Sequence, residues 1–196
     1  MLNKIVLASG NPEKERVANL VWQPEVDITT SKSLGYELPD NIEGEDGYYE
    51  NARIKADWVG ERVKMPVLAD DSGMEIRGLG GKPGVSTRRW ANGLNDERLI
   101  DKTIEYIRGL SEGERACSFM ICAVLRSTRG LINVVEQDDG ILLLSPRGEI
   151  INGHPLAALL YLPEYAATLS ELKGNPEFVS KDVRAHRRLK EIFLNS

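Results

Sequence analysis

Short apolar runs bounded by turn residues alternate with stretches of helical periodicity in the first half of the chain, and β-rich runs follow one another in the second. Lys4-Ile5-Val6-Leu7-Ala8-Ser9 predicts a short buried strand, which Gly10-Asn11-Pro12 breaks before a helix over Glu13 to Val21. Val26 to Thr29 predicts a second strand. Ser31 to Gly47, rich in Gly, Pro, Asp and Asn, predicts a long exposed loop. From Tyr48 to Val63, the residues Tyr48, Ala52, Ala56 and Val59 make an apolar stripe at helical spacing, with Glu50, Asn51 and Lys55 off it. Pro66-Val67-Leu68-Ala69 predicts a buried strand ending at Asp70-Asp71-Ser72-Gly73.

A glycine-rich bend, Gly78-Leu79-Gly80-Gly81-Lys82-Pro83-Gly84, precedes a helix whose N-cap is Asn95 or Asp96 and which runs to Ile107. Ala116 to Arg126, Leu131 to Gln137 and Ile141 to Leu144 predict strands separated by hairpin turns at Arg129-Gly130 and Asp138-Asp139-Gly140. Leu156 to Leu162 predicts a further strand, and Lys181 to Leu194 a final helix. Helices interleaved with strands, then a meander, imply an α/β fold with a mixed sheet. There is no internal repeat, low-complexity tract or flexible linker, so 1–196 is expected to be a single domain.

Composition narrows the function classes. A chain of 196 residues with 41% hydrophobic content has enough apolar material for a packed core. The net charge of −5 disfavours a general nucleic-acid coat but allows one small anionic ligand where basic groups or a metal concentrate positive potential. No run reaches the length of a membrane span, and Met1 to Val6 lacks the pattern of a secretory leader, so the expected location is the cytoplasm with no membrane partner. Cys117 and Cys122, five apart in an apolar segment, would face opposite sides of a strand and read as small core hydrophobes.

Two segments carry candidate chemistry. In Ser9-Gly10-Asn11-Pro12-Glu13-Lys14, a strand ending in a glycine turn and opening a helix aims backbone N–H groups at one spot, which favours an anion, and Lys14 adds a charge one turn in. Asp70-Asp71, at the end of a buried strand, must be solvated, cap a turn or hold a cation. Mg²⁺ needs only one or two carboxylates alongside water and phosphate, and Glu43 with Asp71 can supply them. Lys55 and the pair Arg88-Arg89 offer cations for a polyphosphate.

Together these blocks resemble the inosine triphosphate pyrophosphatase family over nearly the whole chain. Its T/S-G-N-x-x-K signature is matched by Ser9 to Lys14, and its E-N-A-x-x-K-A helix by Glu50-Asn51-Ala52-Arg53-Ile54-Lys55-Ala56. Its central A-D-D-S-G-L, L-G-G-x-P-G-V and S-A-R-Y blocks are matched by Ala69 to Met74, Leu79 to Val85 and Thr87-Arg88-Arg89-Trp90. Later, Pro146-Arg147-Gly148-Glu149, Tyr161-Leu162-Pro163-Glu164 and Lys181 with His186-Arg187 match its P-R-G-E, Y-V-P-E and K-N-x-x-S-H-R.

The resemblance implies Mg²⁺-dependent hydrolysis of non-standard purine nucleoside triphosphates such as ITP, dITP or XTP to the monophosphate and pyrophosphate. It implies phosphate contacts from Ser9, Asn11 and Lys14, metal ligation by Glu43 and Asp71 with Asp70 beside them, and a catalytic set of Asp71, Lys55 and Lys14. Ser72, Lys181, His186 and Arg187 would contact the nucleotide, the last two reading the purine's six-position oxygen; outside the resemblance, Arg88 and Arg89 are expected to meet the triphosphate tail and His154 to stack on the purine. It also implies an elongated mixed sheet in two lobes with a cleft between them, a homodimer, and no nucleic-acid polymer as partner.

The family's F-G-Y-D-P-I-F base-pocket segment should fall just before Tyr161, where this chain has His154-Pro155-Leu156-Ala157-Ala158-Leu159-Leu160. Ala185 stands where the family has serine, and Asp182 where it has asparagine. Relaxed or altered base preference is therefore expected. A pyrophosphatase of the Maf-like kind, acting on pyrimidine or modified nucleotides, and a nucleotide-binding protein without turnover are the competing readings.

Overall fold

The computed structural model describes residues 3–90 and 95–195, the Asn3 and Arg88 side chains excepted. Strand β1 (Asn3–Leu7) lies parallel between β2 (Val26–Thr30) and β3 (Val67–Ile76), with Val6 opposite Thr29 on one side and Val67 on the other. Flanked on both edges, Ile5, Val6 and Leu7 are wholly buried, which is why the strand reads as an unbroken apolar run. Helix α1 (Pro12–Trp22) starts on an Asn11 cap whose side chain accepts the Glu13 N–H at 2.9 Å, with Pro12 in the first turn.

Helix α2 (Tyr48–Gly60) follows the loop, and the short β4 (Pro83–Gly84) pairs antiparallel with β3. The short α3 (Thr87–Trp90) precedes α4 (Asp96–Ile107), which is capped as expected: the Asn95 side chain accepts the Arg98 N–H at 3.0 Å. Strands β5 (Ala116–Ser127) and β6 (Gly130–Leu142) are sheet neighbours joined at the expected turn. Strands β7 (Leu160–Leu162) and β8 (Ala167–Thr168) and helix α5 (Lys181–Asn195) complete the chain. Among the described residues the sheet has eight strands in the order β2-β1-β3-β5-β6-β7-β8, with β4 on β3, and it mixes parallel and antiparallel pairs. This is the expected mixed α/β class.

Three elements differ from expectation. The strand expected to end at Ala69 runs on to Ile76, because β4 gives its second half a partner at Met74 and Glu75. Asp138-Asp139-Gly140 is no turn but the interior of β6. Its glycine is there for close approach, since a Cβ at Gly140 would collide with the main-chain oxygen of Tyr161 on β7. Residues Leu156 to Leu162 divide into a 3₁₀ turn (Pro155–Ala158) and the short β7, because proline favours the first turn of a helix and the Leu159 N–H closes onto Leu156 O at 3.0 Å.

The chain forms two compact units, each gathered from separated segments. The first comprises the residues up to Ser72, Ile121–Glu136 and those from Ser180 onward; the second comprises Gly73–Met120 and Gln137–Val179. A core cluster of the first unit joins Val6, Ala8, Ala52, Ala56, Val59, Val67, Ala69, Cys122 and Val124. The second unit has its own cluster, including Met74, Ile76, Cys117, Phe119, Leu142, Leu156, Leu159 and Leu160. The two cysteines are thus buried, unbridged and in different clusters. Burial pushes the Cys122 thiol up to about 11, with the Asp71 and Asp70 charges adding to the effect, so it acts as a hydrophobe and not a nucleophile. No helix among the described residues is long and apolar enough to cross a membrane.

Candidate active site

The extension of β3 decides the geometry. Successive residues of a strand point to opposite faces, so keeping Asp70-Asp71 extended sends the two carboxylates to different neighbours. Both are buried, at 1% and 5% exposure, so each needs compensating charge or hydrogen bonds.

Asp70 turns toward α1 and α5. One carboxylate oxygen pairs with the Lys14 ammonium, the other lies 3.5 Å from His186 Nε2, and Lys14 also donates to the Asp70 main-chain oxygen at 3.1 Å. Burial alone would raise this carboxyl, but Lys14 and then His186 outweigh it and hold the group far below the usual carboxylate range. Lys14 answers in kind: burial pulls its ammonium down, while Asp70, Asp71 and Glu43 push it up by more. The pair is therefore ionised on both sides.

Asp71 turns toward α2. Asn51 donates to its Oδ2 at 2.9 Å, and the Lys55 ammonium stands 3.6 Å from its Oδ1 and 2.7 Å from Glu43 Oε1. Asn51 also binds the loop that carries Glu43, accepting the Gly44 N–H at 2.8 Å. Asn51 and Lys55 are four apart on α2 and both buried, so the helix presents a polar buried face beside the Ala52, Ala56 and Val59 stripe. Sequence reasoning places both residues off the stripe and leaves Asn51 out of the site. Burial raises the Asp71 carboxyl despite the opposing Lys55 and Lys14 charges. Two adjacent aspartates thus shift in opposite directions, one lowered by Lys14 and His186 and the other raised by burial.

The Ser9–Lys14 turn is built mainly from its own polar atoms. Ser9 Oγ accepts the Asn11 N–H at 3.1 Å, and Asn11 Oδ1 accepts the Glu13 N–H at 2.9 Å. At the start of α5, the buried Lys181 ammonium meets the Asp182 carboxylate at 2.7 Å, a contact that asparagine would make without the charge. His186 is buried, whereas the adjacent Arg187 is exposed, as the helical turn between neighbours requires.

The structure thus gathers Lys14, Asn51, Lys55, Glu43, Asp70, Asp71 and His186 in the first unit, which also carries Ser9, Asn11, Ser72, Lys181 and Arg187. Arg88, Arg89 and His154 belong to the second unit. There Arg89 donates to Ser86 Oγ at 3.0 Å, and the His154 N–H bonds Ile151 O at 2.8 Å; the Arg88 side chain lies outside the described residues. A hollow of about 410 Å³ in the second unit, lined by Glu75, Arg77, Cys117 and Asp139 among others, contains none of the predicted site residues.

Glu43 and Asp71, from different segments, converge on one ammonium, which marks a place where positive charge is favoured. Their hard oxygens are the donors Mg²⁺ takes, and two carboxylates are enough where phosphate and water complete the shell. Among the described residues no three His, Cys, Asp or Glu side chains group as a ready-made metal cage. One Asp70 oxygen pairs with Lys14 and the other lies 3.5 Å from His186 Nε2, so this carboxylate braces Lys14.

The chain is 35% identical over 177 residues to a dITP/XTP pyrophosphatase of Thermus thermophilus, covering 86% of this chain and 81% of that one. It is 33% identical over 196 residues to the dITP/XTP pyrophosphatase of Shouchella clausii, covering 97% and 96%. The HAM1 protein of Coxiella burnetii superposes with a TM-score of 0.84 at 27% identity, over 99% of this chain and all of that one. The family model of the Ham1 family matches residues 5–192, and with relatives of this similarity the chain belongs to the Ham1 family.

Proposed function

We propose that this chain hydrolyses non-standard purine nucleoside triphosphates, dITP, XTP and ITP, to the monophosphate and pyrophosphate in the cytoplasm, using Mg²⁺. The observation that carries the reading is the convergence of Glu43 and Asp71 on Lys55, beside an ionised Lys14–Asp70 pair. The names of the relatives supply the substrate class.

Glu43 and Asp71 would hold the ion, which when bound neutralises phosphate charge and polarises the phosphoryl group. Lys14 and Lys55 add fixed positive charge for the rest of the triphosphate, and phosphoryl chemistry is chiefly such positioning and charge stabilisation. Asp71, raised by burial and oriented by Asn51, takes the proton of the attacking water. The new P–O bond forms at the α-phosphorus, the bridging bond to the β-phosphate breaks, and pyrophosphate leaves.

A second reading, altered base preference within the same reaction, has its own support. The segment standing where the family has F-G-Y-D-P-I-F is buried from Pro155 through Leu160, and Leu156, Leu159 and Leu160 are packed into the second unit's core. It offers neither an aromatic platform nor a carboxylate. One lost buried hydrogen bond costs about 1–3 kcal/mol, or roughly five- to a hundred-fold in selectivity.

Pyrophosphate release from ITP, XTP, GTP, ATP, UTP and dTTP, with Mg²⁺ present or chelated, tests both. The expected result is Mg²⁺-dependent pyrophosphate, fastest with ITP or XTP. Orthophosphate as the product excludes the α-phosphorus route. Nucleotide binding without any product identifies the non-enzymatic alternative, and a pyrimidine nucleotide leading the panel identifies the Maf-like one.

A further inference from the structure

Behind the Lys14–Asp70 pair lies a residue that no motif includes. Trp22, the last residue of α1, is fully buried, its ring 6.2 Å from Phe193 of α5. Its indole Nε1 lies 3.4 Å from His186 Nδ1. An indole N–H only donates, so Nδ1 accepts and the imidazole proton sits on Nε2, which faces Asp70 Oδ2 at 3.5 Å. The other Asp70 oxygen pairs with Lys14. Four side chains from α1, β3 and α5 form one directional series, indole to imidazole to carboxylate to ammonium, within the first unit.

We propose that Trp22 is a positioning residue for nucleotide hydrolysis: its indole N–H fixes His186 as the Nε2–H tautomer, and His186 then holds the Asp70 carboxylate where it fixes Lys14. The tautomer matters because a proton on Nδ1 would leave a lone pair on Nε2 facing a carboxylate, and that repulsion would turn Asp70 and release Lys14. The indole N–H meets Nδ1 and Asp70 faces Nε2, so the His186 imidazole is turned toward the Lys14–Asp70 pair. The link to catalysis rests on the hydrolase reading above; the tautomer itself does not.

The chain has only two histidines, His154 and His186, so imidazole resonances in a long-range ¹H–¹⁵N spectrum are assigned with a single His154→Gln variant. In the wild-type protein at pH 7, His186 should show an unprotonated Nδ1 and a protonated Nε2. A protonated Nδ1 overturns the proposal, whether or not any nucleotide is cleaved.

Kinetics supply the second arm. Trp22→Phe keeps an aromatic ring but removes the donor, and it should raise KM for the nucleotide triphosphate about ten-fold with a smaller change in kcat, the scale of one pairwise coupling. The same variant should mix the His186 tautomers. The effects of Trp22→Phe and His186→Gln should not add, since glutamine keeps a donor toward Asp70 but no longer needs the indole. Additive losses, or an unchanged His186 spectrum in Trp22→Phe, would reduce Trp22 to a packing residue. A wild-type protein releasing no pyrophosphate would end the hydrolase reading, and the spectrum would still decide the tautomer.

Discussion

The residues that matter most are a pair of neighbours treated oppositely. Asp70 is paired with Lys14 and faces His186, and its carboxyl is lowered, whereas the buried Asp71 carboxyl is raised. A carboxyl raised on folding costs stability once pH exceeds its unfolded value, so Asp71→Asn removes that cost while keeping an oxygen for the Asn51 N–H. The variant should lose turnover by about a hundred-fold or more, on the order of a removed general base, with a thermal midpoint at pH 7 equal to or above the wild type. Pyrophosphate assays beside thermal melts check it; a fall in both would make Asp71 structural. Asp70→Asn should behave differently, leaving the buried Lys14 without its ion-pair partner and lowering the unfolding free energy by about 3–5 kcal/mol. Much of this site was legible as residue types, since Ser9, Lys14, Glu43, Lys55 and Asp71 stand in motifs or in the acidic loop before them. Asn51 was legible only as the residue four before Lys55, and Trp22 not at all, because a terminal helix tryptophan reads as core until its N–H is seen to meet a histidine.

Among the elements, periodicity served the helices better than the strands. The caps at Asn11 and Asn95 lie where side-chain chemistry puts them, whereas β3 and β6 outrun their apolar runs. A strand's length depends on partners distant in sequence, and Asp-Gly signals a turn only where no neighbour needs the room. Gly140 is the test: in Gly140→Ala the added methyl meets the Tyr161 main chain, so overpacking should cost about 1–3 kcal/mol in a denaturant titration. No loss would mean that the β6–β7 pairing is looser than its register, Ile141 opposite Tyr161, indicates. In the first unit, Glu136 of β6 is gripped by Arg184 and Arg188 of α5 at 3.1 and 2.5 Å. Burial raises the Glu136 carboxyl, but the two guanidinium groups outweigh it and the net shift is downward. Its contribution is therefore present above the unfolded glutamate value and fades as pH falls through the folded one. With the arginines partly exposed, Glu136→Gln should cost only about 1 kcal/mol at pH 7, and nothing once the wild-type carboxyl is protonated.

At the scale of the whole molecule, the charges proposed to meet the phosphates and the segment standing where the family has its base-pocket motif are carried by different compact units. The mixed α/β class was legible from the order of helical and strand periodicities, but the division into units was not, since each is assembled from segments far apart in the chain. That division has a kinetic consequence. Phosphates are common to every nucleotide, so Lys14→Ala should weaken ITP, XTP and GTP by one shared factor and leave their ratios alone. Arg187 is exposed on α5, whereas the His186 imidazole is buried between Trp22 and Asp70, so Arg187 is the one proposed here to meet a base. Arg187→Ala should therefore change the ratio of kcat/KM between ITP and GTP, because discrimination is a difference in binding that only a base-contacting group can alter. Rates for the three nucleotides in both variants decide it: a ratio that moves with Lys14 and not with Arg187 would reverse the two assignments.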